Sequence, residues 1–110
     1  MEQISYSDFA KLEIKIGTIL SVEVVPDADK LLKLMVNIGE ETPRQIISGI
    51  REFFSDPETL VGQQHPFLTN LEPRTIRGLK SQGMILAASA GEAFSLLVPT
   101  TPLLPGTIVR

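Results

Sequence analysis

The sequence predicts an all-β domain, a five-stranded Greek-key barrel with one short helix between strands three and four and a C-terminal β extension. Three observations predict it. Five short runs combine apolar residues with β-branched or period-two patterning, turn residues separate them, and a helix-capping signature stands between the third and fourth runs.

Taken in order, Ser7-Asp8-Phe9-Ala10-Lys11-Leu12 opens with a capping residue and a first-turn acid, which predicts one helical turn. The first strand follows. Ile14, Ile16, Thr18, Leu20, Val22 and Val24 alternate with Lys15, Gly17, Ser21 and Glu23, and Gly17 is the expected bulge or bend. Pro26-Asp27-Ala28-Asp29 turns the chain. Leu32, Leu34, Val36 and Ile38 mark the second strand, and Gln45–Ile50 the third. Ser55-Asp56-Pro57-Glu58 matches a capping box with proline in the first turn, so a short helix is expected before Gly62. Pro66–Leu71 reads as the fourth strand with proline at its first position. Residues 72–82 contain Pro73 and Gly78 and read as a loop, and Gly83–Ser89 forms the fifth strand. Phe94–Val98 and Thr107–Val109 are short apolar runs among Pro99, Pro102, Pro105 and Gly106. That extension must be covered by its own barrel or by a second copy. The expected boundaries are a barrel over about 12–89 and an extension over about 90–110, in one domain.

This element order is that of the OB-fold, which binds oligonucleotides on strands 2–3 and on the loops joining strands 1–2 and 4–5. Those loops are Pro26–Lys30 and Glu72–Gln82. The chain as a whole is acidic, with 10 Lys+Arg against 13 Asp+Glu, which opposes polyanion binding at long range. The distribution is uneven. Residues 1–70 carry a net −5 and residues 71–110 a net +2, and Arg74, Arg77 and Lys80 occur with no acid between them. The basic segment therefore falls on a loop this fold uses.

Other chemistries find little support. Cysteine is absent and His65 is the one histidine, so neither disulfides nor a thiolate or polyhistidine metal site can form. His65 before Pro66 is expected at the surface. Ser48 and the Asp27/Asp29 pair lack a nucleophile elbow, phosphate loop or metal spacing around them, so no catalytic residue and no cofactor are assigned. No apolar run reaches membrane-spanning length and the start lacks a signal-peptide layout, so a cytoplasmic protein is expected.

Several separated motifs resemble the tRNA-binding domain family, found as stand-alone proteins and as modules of methionyl- and phenylalanyl-tRNA synthetases. They are Asp8-Phe9-Ala10-Lys11-Leu12, Ile16-Gly17, Asp27-Ala28-Asp29-Lys30-Leu31, Ile47-Ser48-Gly49-Ile50, Asn70-Leu71-Glu72-Pro73-Arg74 and Gly78-Leu79-Lys80-Ser81-Gln82-Gly83-Met84, with Pro105-Gly106 near the end. The resemblance implies a non-catalytic tRNA-binding protein, a homodimer formed through the extension, and a methionyl-tRNA synthetase catalytic subunit as a partner. It implies RNA contacts at Lys30, Arg74, Arg77, Lys80, Ser81 and Met84; Lys33 is added from its place on the second strand. Each has a plainer reading. The bases would be solvated loop charges, Lys30 and Lys33 would pair with neighbouring acids, Ser81 would hold a turn, and Met84 would be core. Aromatic residues make up only 5% of the chain and do not cluster on the two loops. Base stacking on a single strand is thus less expected than shape recognition of a folded RNA. The rival from another class is a protein-interaction or chaperone-like module, favoured by the acidic total and the apolar tail.

Overall fold

The computed structural model describes residues 1–110. Helix α1 (Tyr6–Ala10) is followed by β1 (Ile14–Val24), β2 (Leu32–Asn37), β3 (Arg44–Ser48), two 3-10 turns (Arg51–Phe53 and Pro57–Leu60), and β4 (Gln64–Leu68). Then come β5 (Arg74–Ile76), β6 (Leu79–Ser81), β7 (Met84–Ile85), β8 (Ala87–Ala90), β9 (Ala93–Leu96) and β10 (Ile108–Val109). The main sheet runs β3-β2-β1-β4-β7, with β10 also on β1. All its pairings are antiparallel, and the sheet coils into the expected OB barrel.

Strand β1 carries the architecture because it serves two partners in succession. Its first half pairs with β4 from Ile14↔Leu68 to Thr18↔Gln64, and its second half pairs with β2 from Thr18↔Asn37 to Val24↔Leu32. The register shifts between Ile19 and Ser21, which leaves Leu20 as the bulged residue. One extra residue exchanges the two faces of a strand. The simple alternation expected from the sequence therefore fails here: Ile19 and Val22 are both core residues, while Leu20 and Val24 are 46% and 49% exposed. Gly17 is not the bulge. A Cβ there would lie 2.7 Å from Val36 Cγ1 and 2.9 Å from Phe67 Cδ1, so glycine is needed because the barrel wall closes on it.

The barrel interior is filled by Ile19, Val22, Leu32, Leu34, Val36, Ile38, Ile46, Ile50, Leu60, Phe67 and Ile85. Removing such side chains from water is the main stabilising contribution, about 1.5–3 kcal/mol for each large aliphatic. Phe54, Phe94 and Leu96 pack on this cluster from outside the main sheet.

Local boundaries differ from expectation for identifiable reasons. Ser5, not Ser7, caps α1: its hydroxyl accepts from the Asp8 amide while Asp8 reaches back to the Ser5 amide. The turn at Pro57–Leu60 is 3-10 and is capped by Asp56, whose side chain accepts from the Glu58 amide. Pro66 lies inside β4 opposite Ile16, not at its start. Ile16 gives its amide to Thr107 and its carbonyl accepts from Gly106. Hence Ile16 and Pro66 exchange no backbone bond, and the missing proline N–H breaks nothing in that ladder. The fifth strand is interrupted at Leu86 into β7 and β8, and β8 leaves the barrel to pair with β9.

The extension is held by its own barrel. Besides the Ile16 bonds, Gln64 bonds the amide and carbonyl of Leu103, and His65 Nδ1 lies 2.8 Å from the Leu97 carbonyl oxygen. His65 is fully buried, contrary to the surface position expected of it, because the returning tail covers β4. No helix is long and apolar enough to cross a membrane.

Candidate nucleic-acid interface

The segment expected to be a loop, residues 72–82, is a hairpin. Arg74 pairs with Ser81, Thr75 with Lys80 and Ile76 with Leu79, leaving Arg77 and Gly78 as a two-residue turn. Both turn residues have positive φ, +52° for Arg77 and +77° for Gly78. That combination defines the turn whose twist matches a tight hairpin. A charged side chain at its first position stands at the tip, clear of both strands.

The hairpin runs beside β3 and is docked to it mostly by side chains. The Ile47 amide donates to Ser81 Oγ at 3.0 Å, the Gln45 amide donates to Gln82 Oε1 at 3.2 Å, and Gln45 Nε2 donates to the Lys80 carbonyl at 2.9 Å. One backbone bond, Gln82 N to the Gln45 carbonyl at 2.8 Å, completes the set. Ser81 is 5% exposed, and its hydroxyl also donates to the Gly83 carbonyl at 3.1 Å. The Ser81 hydroxyl is thus committed to the seam between hairpin and barrel, while the residue also lines the small niche shared by Arg74 and Met84.

At the hairpin root stands Arg44. Its Nη1 donates to the carbonyls of Thr69 and Gln82, and its Nε and Nη2 donate to the two carboxylate oxygens of Glu40 at 2.9 and 2.8 Å. The bidentate bond to Arg44 holds the Glu40 carboxyl below the usual carboxylate range, and Glu40 in turn raises Arg44. Close by, Glu13 is held low by its bonds from Lys15, 3.0 Å away, and from the Thr69 hydroxyl.

The first loop is braced in a similar way. Asp27 takes a positive φ of +60°, the Leu31 amide returns to the Ala28 carbonyl, and the Arg51 amide donates to the Lys30 carbonyl at 3.1 Å. The Arg51 guanidinium donates to the Ala28 carbonyl at 3.0 Å. Nothing in the sequence marks Arg44 or Arg51. Their bonds run to backbone carbonyls distant in the chain, and residue spacing carries no trace of these.

These supports bring the two loops together. Ala28, Asp29, Lys30 and Leu31 share with Arg77 an open cleft of about 360 Å³. Further along the hairpin, Arg74 and Met84 line a second, small niche with Leu71, Glu72, Ile76 and Ser81. Met84 is 42% exposed, so it is not core. Four ion pairs form in the molecule, Lys11–Asp8, Lys15–Glu13, Lys33–Glu23 and Arg44–Glu40. Lys30, Arg74, Arg77 and Lys80 belong to none of them and are exposed. Lys33 differs from these, since its ammonium sits 3.1 Å from Glu23 and its side chain is only 26% exposed. What results is a set of exposed cations outside the internal ion pairs: Lys30 and Arg77 on one cleft, and Arg74 and Lys80 on opposite faces of the hairpin, all free for phosphate groups.

Outside this face, Phe53, Phe54 and Phe94 line a separate cleft of about 440 Å³, with Phe53 stacked on Phe94 at 4.0 Å between centroids. No group of three His, Asp or Glu residues converges as metal ligands would.

Comparison with known proteins gives a consistent picture. The family described as "Putative tRNA binding domain" matches residues 14–108. A methionine–tRNA ligase of Methanoregula boonei is 54% identical over 107 residues, covering 97% of this chain and 16% of that protein. The chain thus spans about one sixth of the length of the curated relatives it matches. A MetRS-related protein of Pyrococcus horikoshii has a similar structure, with a TM-score of 0.92 at 32% identity and full coverage of both chains. The chaperone CsaA of Bacillus anthracis follows with a TM-score of 0.87 at 28% identity, covering 99% of this chain and all of that one.

Proposed function

The chain belongs to the tRNA-binding domain family, and from that premise we propose that it binds tRNA without catalysing a reaction, through Lys30, Arg74, Arg77 and Lys80. Met84 adds an apolar contact beneath the RNA backbone, and Lys33 contributes less because Glu23 already neutralises it. One observation carries the reading. Two segments more than 40 residues apart place Lys30 and Arg77 on one cleft, which Asp29 also lines, and neither cation is within ion-pair distance of a carboxylate. Local charge then outweighs the net −3 of the chain at contact distance, since exposed charges beyond about 10 Å are screened. The site offers no exposed aromatic platform, which favours a folded RNA read through phosphates and 2′-hydroxyls.

The extension, residues 90–110, supplies a dimer seam in this reading, and a second copy would double the basic face. The partner in aminoacylation is a methionyl-tRNA synthetase catalytic subunit, to which the module delivers tRNA by raising its local concentration. The sequence similarity to methionine–tRNA ligases supports this. A site of action in the cytoplasm goes with it.

Filter-binding titration of tRNA against the wild type and Arg74→Ala/Arg77→Ala, at several salt concentrations, tests the site. The double variant should bind more weakly, with a log–log salt slope reduced by about one for each phosphate that is no longer neutralised. An unchanged affinity and slope would remove the hairpin from the interface. The alternative, a protein-binding role, is favoured by one observation, the open phenylalanine cleft, together with the likeness to a chaperone structure. Suppression of client aggregation that added tRNA does not relieve would support that alternative.

A further inference from the structure

We infer that Arg44 is a positioning residue for RNA binding: it does not touch RNA but fixes the angle at which the β5–β6 hairpin presents Arg74, Arg77 and Lys80. The inference rests on the reading of the hairpin as the RNA face. Strands β5 and β6 pair with each other and form a sheet of their own. Their attachment to the barrel is made on the β6 side, by Gln45, Ile47 and their partners Lys80, Ser81 and Gln82. Strand β5, which bears Arg74, has no bond of its own to the barrel. It is held through its pairing with β6 and through its entry, where Thr69 and Asn70 bond to Glu13 and Lys11.

Arg44 closes the root of the hairpin. One guanidinium nitrogen donates to the carbonyl of Thr69, where the chain leaves the barrel, and to that of Gln82, where it returns. The opposite edge is gripped by both oxygens of Glu40, so the planar group can neither rotate nor withdraw. The Arg44 side chain is 21% exposed and Glu40 is 39% exposed, so the clamp is sheltered but not sealed. Lysine cannot substitute for this fork, because a single ammonium cannot hold a carboxylate and two carbonyls in one plane.

The consequence is a sign that bare electrostatics would not give. Glu40→Gln deletes a negative charge from an acidic molecule, and charge alone would strengthen binding to a polyanion. If Glu40 acts by anchoring Arg44, the same substitution weakens binding.

The test combines tRNA titration across salt concentrations with amide hydrogen exchange on the full chain, for Arg44→Gln, Arg44→Lys and Glu40→Gln. For both Arg44 variants, affinity should fall about tenfold with an unchanged salt slope, since the phosphate-facing cations are all still present. Exchange should quicken in residues 74–81 and stay constant in β1 and β2. Glu40→Gln should show the same pattern in smaller degree. Tighter binding by Glu40→Gln overturns the inference, and so does a salt slope lowered by about one in Arg44→Gln with hairpin exchange unchanged, which would mean that Arg44 binds a phosphate directly. Should Arg44→Gln not fold, Glu40→Gln decides alone. Arg74→Ala/Arg77→Ala reports separately on the RNA face, since it leaves the clamp intact.

Discussion

His65 Nδ1 donates its proton to the Leu97 carbonyl at 2.8 Å, joining a buried imidazole on β4 to the first residue after β9. The carbonyl can only accept, which fixes the proton on Nδ1. In the neutral ring Nε2 is then an acceptor and takes its bond from the side-chain amide of Gln63, 3.0 Å away, with that amide turned to present its NH2. Burial lowers the His65 pKa below its ordinary 6.5, and the bond to Leu97 only partly offsets this. The folded chain therefore takes up a proton there less readily than the unfolded chain. Stability from this source is complete above pH 6.5 and declines as pH falls below it. The urea midpoint should drop between pH 7.5 and pH 5.5 in the wild type and stay nearly flat in His65→Gln. Above pH 7 the variant should be less stable by about 1–3 kcal/mol, as expected for a broken buried hydrogen bond. An equal pH dependence in both proteins would refute the assignment.

Gly17 gives a prediction about the barrel itself. Its added Cβ would meet Val36, Phe67 and Ile38 at 2.7, 2.9 and 3.0 Å, all of them side chains in a packed wall. Gly17→Ala should therefore cost about 1–3 kcal/mol through overpacking, although alanine is ordinarily the better strand residue. Denaturant unfolding should show a lower midpoint with an unchanged m-value. A midpoint equal to that of the wild type would mean the wall gives way without cost.

These two residues mark where sequence reading succeeds and where it stops. The order of elements along the chain and the turn at Pro26–Asp29 follow from turn residues and apolar spacing, because local chain geometry imposes both. The bulge at Leu20 does not follow, since Ile19-Leu20-Ser21 supports either parity and only pairing with β2 selects one. His65 and Ile16 depend on the returning tail, a contact between residues far apart in the chain. Residues 72–82 read as a loop because Pro73 and Gly78 look like breakers. Arg77-Gly78 is instead a two-residue turn that builds a hairpin, and arginine is an uncommon residue at positive φ. Ser81 and Met84 are legible as a pair, but which of them faces out is settled by the register of the seam.

Lys30 and Lys33 separate free cations from spent ones. Lys30→Ala should weaken tRNA binding and reduce the salt slope by about one. Lys33→Ala should change both much less, since Glu23 holds the Lys33 ammonium at 3.1 Å. Releasing that ammonium gives the complementary result: Glu23→Gln should tighten binding and steepen the slope. The exposed pair contributes at most about 1 kcal/mol to folding, so the variant should remain folded. Equal effects in Lys30→Ala and Lys33→Ala would show that Glu23 yields Lys33 to the RNA.

Tyr6 on α1 and Leu104 in the tail are 78% and 81% exposed, and Ile108 on β10 is 46% exposed. Helix α1 leads into the start of β1, and β10 places Ile108 opposite Lys15 at that start. Leu104 follows along the tail next to Leu103, which bonds Gln64, so these apolar side chains border the first half of β1 in sequence and pairing. If this region is the dimer seam, Tyr6→Glu/Leu104→Glu should shift the chain to a monomer in light scattering, since two carboxylates would be buried without partners. The barrel core lies elsewhere, so the circular dichroism and the urea midpoint of the monomer should change little. Affinity for tRNA should fall as the second basic face is removed, while the salt slope per protomer stays the same. A variant that remains dimeric would place the seam on another surface, and a wild type that is monomeric at every concentration would remove the dimer from the mechanism.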